Sequence, residues 1–363
     1  MATAAAPAAS SRSTCSSTSI ASASRNASAT YAASGARWRR PWRLRRALRR
    51  AAQKHDPLRG DPDLATYDLI VVGEGITGLA CARHAASLGL KTATAEGNLF
   101  GGLVINIAEL EGYEDHGSGV DIASALMESN ALAGIENLGA NVTAIEAGGD
   151  SIKVATDAGS HSARAVLIAS GARLKRLGVP GEEEFDHRGV SQCADCDGPM
   201  FQGEHVVVVG GGDAAFQETA ALSPYVGQVT VLMRGATPRA SPGLVERVRQ
   251  RGNVAFRTGV TVEAIQGDDT VKAVVVRTAN GESERIDCAG AFIFVGLTPN
   301  SEIAPAGVAR NPHGAIETDA SMQTAVPGVY AAGAVRAGYS GKLVDAVREA
   351  KEAAESAARR VRG

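Results

Sequence analysis

The 363 residues predict an α/β fold organised around two strand, glycine-loop and helix units, and three observations carry that prediction. An apolar run, Asp68-Leu69-Ile70-Val71-Val72, enters Gly73-Glu74-Gly75-Ile76-Thr77-Gly78 and then a helical pattern. A second run, His205-Val206-Val207-Val208-Val209, enters Gly210-Gly211-Gly212-Asp213-Ala214-Ala215. Shortly before the second loop stands Cys193-Ala194-Asp195-Cys196-Asp197, whose two cysteines are spaced to close a small disulfide ring.

Composition bounds the rest. With 44% hydrophobic residues and 42 glycines, the chain can hold two domains of ordinary size, and it contains no apolar run long enough to span a bilayer. The net charge of −2 conceals an asymmetry: residues 1–55 carry ten Arg and one Lys and no acid, leaving 26 basic against 39 acidic residues beyond them. A body of that sign is a poor nucleic-acid binder.

Residues 1–66 are expected to form a disordered, basic, Ala/Ser/Arg-rich extension. Leu44, Ala47, Leu48 and Ala51 fall at the spacing of a short basic amphipathic helix within it. Such a segment reads as an organelle transit peptide, as a helix resting on an anionic membrane, or as the product of a misassigned start. The expected location is the cytoplasm, or a mitochondrion or plastid if the transit peptide is genuine. Cys15, Cys81, Cys193, Cys196 and Cys288 make an odd, sparse set that suits a reducing compartment, with Cys81 and Cys288 read as packing residues.

In the first unit the helical pattern runs through Leu88, and a second strand, Lys91 to Ala95, ends at Glu96. That order is the fingerprint of dinucleotide binding in a Rossmann-like domain. Gly73 makes the tight turn, Gly75 lets the backbone approach a pyrophosphate, and Gly78 lets helix and strand pack closely. Glu96 is placed to accept a hydrogen bond from a ribose hydroxyl. Residues 142–169 then alternate short strand runs with turns, and Leu177-Gly178-Val179-Pro180-Gly181 marks a domain boundary.

The second unit repeats the arrangement with Gly210, Gly211, Gly212, Asp213 and Ala215, but its second strand, Val229 to Met233, ends at Arg234, with Arg239 nearby. A basic residue there suits a 2′-phosphate, so this nucleotide leans toward NADP. The cysteine pair is ambiguous by spacing alone: a redox disulfide, half of a zinc site and an inert turn all fit. No second CxxC or CxxH accompanies it, which disfavours a closed zinc site, and we expect no metal.

The blocks VVGEGITGLA, GNLFGG, ASGARLKRLGVPGEEEFDHRGVSQCADCDGPMF, VVVVGGGDAAFQE, GLTPN and PGVYAAGAV occur in the order found in the low-molecular-weight thioredoxin reductases. From about Tyr67 to the C-terminus the chain resembles that family. The resemblance implies FAD in the first domain, NADPH in a second domain inserted into it, and a homodimer. The domains would be 67–173 and 291–363 for FAD, enclosing 174–290 for NAD(P) and the CxxC. It implies Cys196 facing the flavin, Cys193 as the interchange thiol and Asp197 as the acid/base group. Gly101, Gly102, Gly171, Gly333 and Ala346 would join Gly73, Gly75, Gly78 and Glu96 around FAD. The implied activity is reduction of a thioredoxin-like protein disulfide. The alternatives are a dithiol oxidase, or a disulfide reductase using another donor or a small-molecule disulfide.

Departures from the family pattern gather at the flavin. The family's Gly-Asp is Gly333-Ala334 here, its Asn is Gly112, and its Arg-Gln-Ala is Val344-Asp345-Ala346; in the second unit His-Arg-Arg becomes Met233-Arg234-Gly235. Each domain is expected to have a parallel sheet with helices on both faces, and Leu343 to Val361 is expected to form an Ala-rich amphipathic helix.

Overall fold

The computed structural model describes residues 66–107, 117–148 and 151–363. The expected extension of residues 1–66, apart from its last residue, Cys15 and Gly112 lie outside them. Among the described residues, no helix is long and apolar enough to cross a membrane.

The first lobe grows from β1 (Thr66–Val72), α1 (Ile76–Ser87) and β2 (Thr92–Ala95). Leu69, Ile70 and Val71 are fully buried, and alternation divides them: Leu69 and Val71 face one core, Ile70 and Val72 the other. After α2 (Gly119–Leu132) and the two-residue β3 (Glu136–Asn137), three strands come in quick succession: β4 (Val142–Gly148), β5 (Ser151–Thr156) and β6 (Gly159–Ile168). The parallel part of the sheet runs β3-β2-β1-β6, and β17 (Val329–Ala331) adds to β6 from far along the chain.

The chain leaves this lobe through β7 (Ala172–Leu174) and returns through β16 (Leu297–Pro299), which pair antiparallel. Between them, β8 (Val190–Ser191), β9 (His205–Val209), β10 (Gln228–Met233), β11 (Val254–Thr258) and β15 (Gly290–Ile293) form a parallel sheet in the order β11-β10-β9-β15-β8. β15 straddles the expected boundary at residue 290: its Ala291, Phe292 and Ile293 are fully buried in this second sheet. The helices α4 (Asp213–Leu222) and α5 (Pro242–Arg249) cover one face, where Phe216, Leu222 and Val248 meet Val206, Val208 and Phe292.

The expectation of parallel sheets with helices on both faces needs correction in both lobes. In the first, β4, β5 and β6 pair antiparallel because turns as short as Asp157-Ala158 cannot carry the crossover that a parallel pair requires. Helices α1 and α6 (Leu343–Arg362) pack on one face only; residues from the hairpin and from 303–335, among them Ile152, Ala304, Val308 and Ile316, fill the other. In the second lobe the face opposite α4 is covered by an antiparallel meander, β12 (Thr261–Gly267), β13 (Val271–Arg277) and β14 (Ser283–Asp287). Its Val262, Val274 and Val276 pack on Val207, Val209 and Ile293. Period-2 apolar runs separated by turn residues encode that meander.

Candidate functional site

Parallel pairing places the predicted residues of the first unit on one edge. Val72 is level with Ala95 and with Ile168, and Ile168 with Ala331, so four neighbouring strands end together. Gly73, Glu96, Ser170-Gly171 and Ala332-Gly333 lie just past these four ends. The crevice beyond the carboxyl ends of an open α/β sheet is where such folds take ligands.

Gly73 has φ of +102°, and α1 packs so closely behind it that a Cβ on Gly78 would lie 1.9 Å from the Gly73 carbonyl oxygen. Gly75 caps α1 in extended conformation, leaving the helix N-terminus toward the edge. Gly101 N–H donates to the Glu74 carbonyl at 2.7 Å, and Gly102 opens a 3-10 turn against Gly75. Glu96 sends Oε2 to within 3.4 Å of Glu74 N and accepts from Asn98 N–H through Oε1 at 3.0 Å, which aims the carboxylate at the loop. A dinucleotide's ribose and pyrophosphate fit this cradle: an acceptor at the strand end, amides at the helix end, and no side chain filling the turn.

Two carboxylates here were not singled out from sequence. Glu74, inside the loop, is buried and its Oε1 accepts from the Thr94 hydroxyl at 2.6 Å. Burial raises its pKa, the Thr94 bond works against this, and the Glu96 charge adds to the rise. Glu349, on α6, is 1% exposed and binds Arg336 twice, with Nε at 3.1 Å from Oε2 and Nη2 on Oε1, while Oε2 also accepts from Gly333 N–H at 2.9 Å. Glu349 sits within an alanine face, Ala346, Ala350, Ala353 and Ala357, so its partner was invisible to periodicity. Ala346 is buried in the first turn of α6; Ala334 is half-buried in the turn after β17; Asp345 is occupied by Ser340 and Arg348.

The second loop has the same design. β9 ends at Gly210, with φ of +151° and a Cβ position only 2.3 Å from the Phe294 carbonyl oxygen and 2.8 Å from the Ala215 methyl. Gly211 accepts from Arg239 and Ala240 N–H, Gly212 caps α4, and Asp213 accepts from Ser241 N–H at 2.6 Å. Arg234 and Arg239 are exposed beside the loop, whereas Met233 is buried against Gly211. A nucleotide with a 2′-phosphate fits that open, cationic strand end.

The cysteines belong to the same edge. β8 ends at Ser191, level with Phe292 of β15, and the chain turns at once into the one-turn helix α3 (Ala194–Asp197). Cys193 and Cys196 are joined, with Cα atoms 5.3 Å apart. Three of the turn's N–H groups are satisfied within it: Cys193 N–H donates to Ser191 Oγ (3.1 Å), Cys196 N–H to Cys193 Sγ (3.2 Å) and Asp197 N–H to the Cys193 carbonyl (3.2 Å). Cys193 is half-buried because it caps this helix; Cys196 is exposed and Asp197 half-buried. Cys81 and Cys288 are reduced and buried; burial pushes both thiols up, Cys288 to about 12. Among the described residues no cluster of three metal-ligating side chains occurs.

The model of the pyridine nucleotide-disulphide oxidoreductases matches residues 67–357. The chain is similar to the thioredoxin reductase of Treponema pallidum, 36% identical over 80% of this chain and 96% of that protein. Against the Listeria monocytogenes thioredoxin reductase the figures are 34%, 80% and 92%. Among solved structures, thioredoxin reductase from Lactococcus lactis in its FR conformation superposes with a TM-score of 0.78 at 33% identity, covering 81% of this chain and 99% of that one. The Streptococcus pyogenes thioredoxin reductase is 34% identical with 83% and 99% coverage, yet its TM-score is 0.57.

Proposed function

Since the chain belongs to the pyridine nucleotide-disulphide oxidoreductase family, within the thioredoxin reductases, it is an oxidoreductase that uses FAD and NADPH, and we propose how its residues divide that work. Gly73, Gly75, Gly78, Glu96, Gly101, Gly102, Gly171, Gly333 and Ala346 hold FAD at the first edge. Gly210, Gly211, Gly212, Asp213, Ala215, Arg234 and Arg239 hold NADPH at the second. Bound FAD supplies two-electron transfer between the nicotinamide and a sulfur.

Everything after that is sulfur chemistry done by this chain. Once Cys193 and Cys196 are reduced, the Cys193 thiolate attacks one sulfur of a thioredoxin-like disulfide, forming a mixed disulfide and releasing the partner's first thiolate. The Cys196 thiolate then attacks Cys193 Sγ, re-forming the intramolecular bond and releasing the second. Asp197, next to Cys196, moves the proton that the dithiol gains or loses.

The observation that carries this reading is the joined cysteine pair standing on the same sheet edge as the second glycine loop. Cys196 is exposed while the pair packs on α4 of its own lobe, so it is the sulfur that the first lobe can cover. Two relatives within one per cent in identity and two per cent in coverage, superposing at 0.78 and 0.57, support a molecule whose lobes take different arrangements. A homodimer belongs to the same proposal: Leu99, Leu103, Val120 and Leu132 are exposed apolar side chains on the first lobe that a second copy would cover.

Single Ser variants test the assignment. Cys193→Ser and Cys196→Ser are both expected to lose disulfide turnover while NADPH still bleaches the flavin, and only Cys193→Ser should show a long-wavelength absorbance band. Full turnover in either variant would sink the redox assignment.

A further inference from the structure

Helix α4 starts at the second glycine loop and, one and a half turns later, presents Glu218 to the cysteine turn. Three of that turn's backbone N–H groups are satisfied within residues 191–197. A fourth, Ala194 N–H, inside the CxxC itself, donates to Glu218 Oε2 at 2.7 Å. Ala194 is fully buried in the core shared with Phe216 and Leu222 of α4, so water does not replace this acceptor. Glu218 is therefore the hydrogen-bonded tie between the redox turn and the helix that begins at the nucleotide loop.

We propose that Glu218 is a positioning residue for the Cys193–Cys196 pair, holding the turn when the disulfide is open and setting, through its charge, how readily a thiolate forms. The proposal rests on the reading of this pair as the redox centre. The disulfide constrains the turn only while it is closed. After two electrons and two protons convert it to a dithiol, the Ala194 bond ties the turn to α4 and, with the bonds inside the turn, keeps Cys193 and Cys196 in register for re-closure.

The charge half comes from the surroundings. The charged residues on the elements packed about Glu218 are Asp213 on its own helix, Asp195 and Asp197 on α3, and Glu246, Arg247 and Arg249 on α5; His205 is on β9. Burial pushes the Glu218 carboxyl up to about 7, the Ala194 bond opposes this, and the Asp195 charge adds to it. Glu218 thus becomes anionic across neutral pH, below the pH at which an ordinary thiol ionises. An anion bonded to the Ala194 amide, between the two cysteines in the chain, disfavours a second anion on sulfur.

The test uses the full-length holoenzyme, reduced anaerobically with dithiothreitol, freed of it, and alkylated with iodoacetamide from pH 5 to 10. Modification of Cys193 and Cys196 is read by mass spectrometry, with buried Cys81 and Cys288 as internal references. Wild type is expected to show an inflection near pH 7 below the main thiol step. Glu218→Gln, which keeps an acceptor without charge, should lose that inflection and move the main midpoint down by about one pH unit. Glu218→Ala, which removes the acceptor, should slow re-closure of the disulfide by roughly tenfold, with Glu218→Gln within about twofold of wild type. Superimposable wild-type and Gln profiles overturn the charge role, and unchanged re-closure in the Ala variant overturns the tie. A wild-type pair that does not cycle between disulfide and dithiol overturns both the inference and the reading beneath it.

Discussion

The two glycine loops share one steric demand and differ in another: a Cβ on Gly73 would lie 2.5 Å from the Ala169 carbonyl oxygen and one on Gly210 2.3 Å from that of Phe294, but the helix residues behind them are not alike. In the first, the helix residue must lack a side chain, because a Cβ on Gly78 would sit 1.9 Å from the Gly73 oxygen. In the second, the equivalent helix residue is Ala215, whose methyl is accommodated 2.8 Å from where a Cβ on Gly210 would lie. Their electrostatics also differ: buried or half-buried carboxylates, Glu74 and Glu96, line the first, and exposed Arg234 and Arg239 flank the second. One sequence pattern thus yields a tight, acidic, inward-facing cradle and a looser, cationic, open one.

The largest expected effect lies behind the first cradle. Glu349→Ala leaves the half-buried Arg336 without its carboxylate and should cost about 3 kcal/mol in urea unfolding, most of it recovered by adding Arg336→Met. Arg257→Ala, which breaks the exposed pair with Glu284 in the second lobe, should leave the urea midpoint in place. Equal effects would erase the contrast between inward-facing and open lobes.

Gly78→Ala should come next, at up to about 3 kcal/mol of overpacking, with loss of the yellow colour on purification. Its counterpart Ala215→Gly should cost only about 0.5–1 kcal/mol, the ordinary glycine penalty in a helix. Comparable melting temperatures for the two variants would show that the loops are packed alike after all.

Ala334→Asp restores a carboxylate beside the Gly333 turn and is expected to tighten FAD by about 1.5–3 kcal/mol in a dialysis titration. An unchanged dissociation constant would remove residue 334 from the flavin site. At the open loop, NADPH is expected to be preferred over NADH. Arg234→Gln should reduce that preference by roughly tenfold and Gly235→Arg should widen it, read as the ratio of kcat/KM values. Better turnover of the native chain with NADH would break the electrostatic half of the comparison.

The smallest effect is on pH dependence. A carboxyl whose folded pKa is raised binds its proton more tightly when folded. The Glu218 contribution is therefore fully present below about 4.5 and is lost as pH rises through about 7. Glu218→Gln should flatten this part of the stability profile, and an unchanged slope between those values would mean that Glu218 titrates normally.

Much of the candidate site was legible because it is local. Gly73 to Glu96 and Gly210 to Arg234 each lie within one strand, helix, strand unit, and Cys193 and Cys196 are three residues apart. Gly171 and Gly333 are not local to the loops; the family resemblance supplied them, and β6 and β17 place them on the same edge as Gly73. The partnerships of Glu218 and Glu349 were not legible. An acid on a mostly apolar helix face looks like a solvated interruption until a residue distant in sequence, Ala194 in one case and Gly333 with Arg336 in the other, is brought against it.

What the sequence determined by itself was the alternation and spacing that make strands, turns and amphipathic helices, and with them the two loops, the cysteine ring and the α/β class. Those depend on steric rules acting over a few residues, so a short window suffices. What only the tertiary structure decided was which faces those elements bury and which polar groups are thereby forced together. Period-2 runs specify a strand but not its pairing partner, so the antiparallel meander covering the second sheet emerged only when Val262 and Val274 met Val207 and Ile293. Burial then made partners obligatory: once packed out of water, Ala194 N–H needs an acceptor and Glu349 needs a cation, and the fold supplies each from a different element.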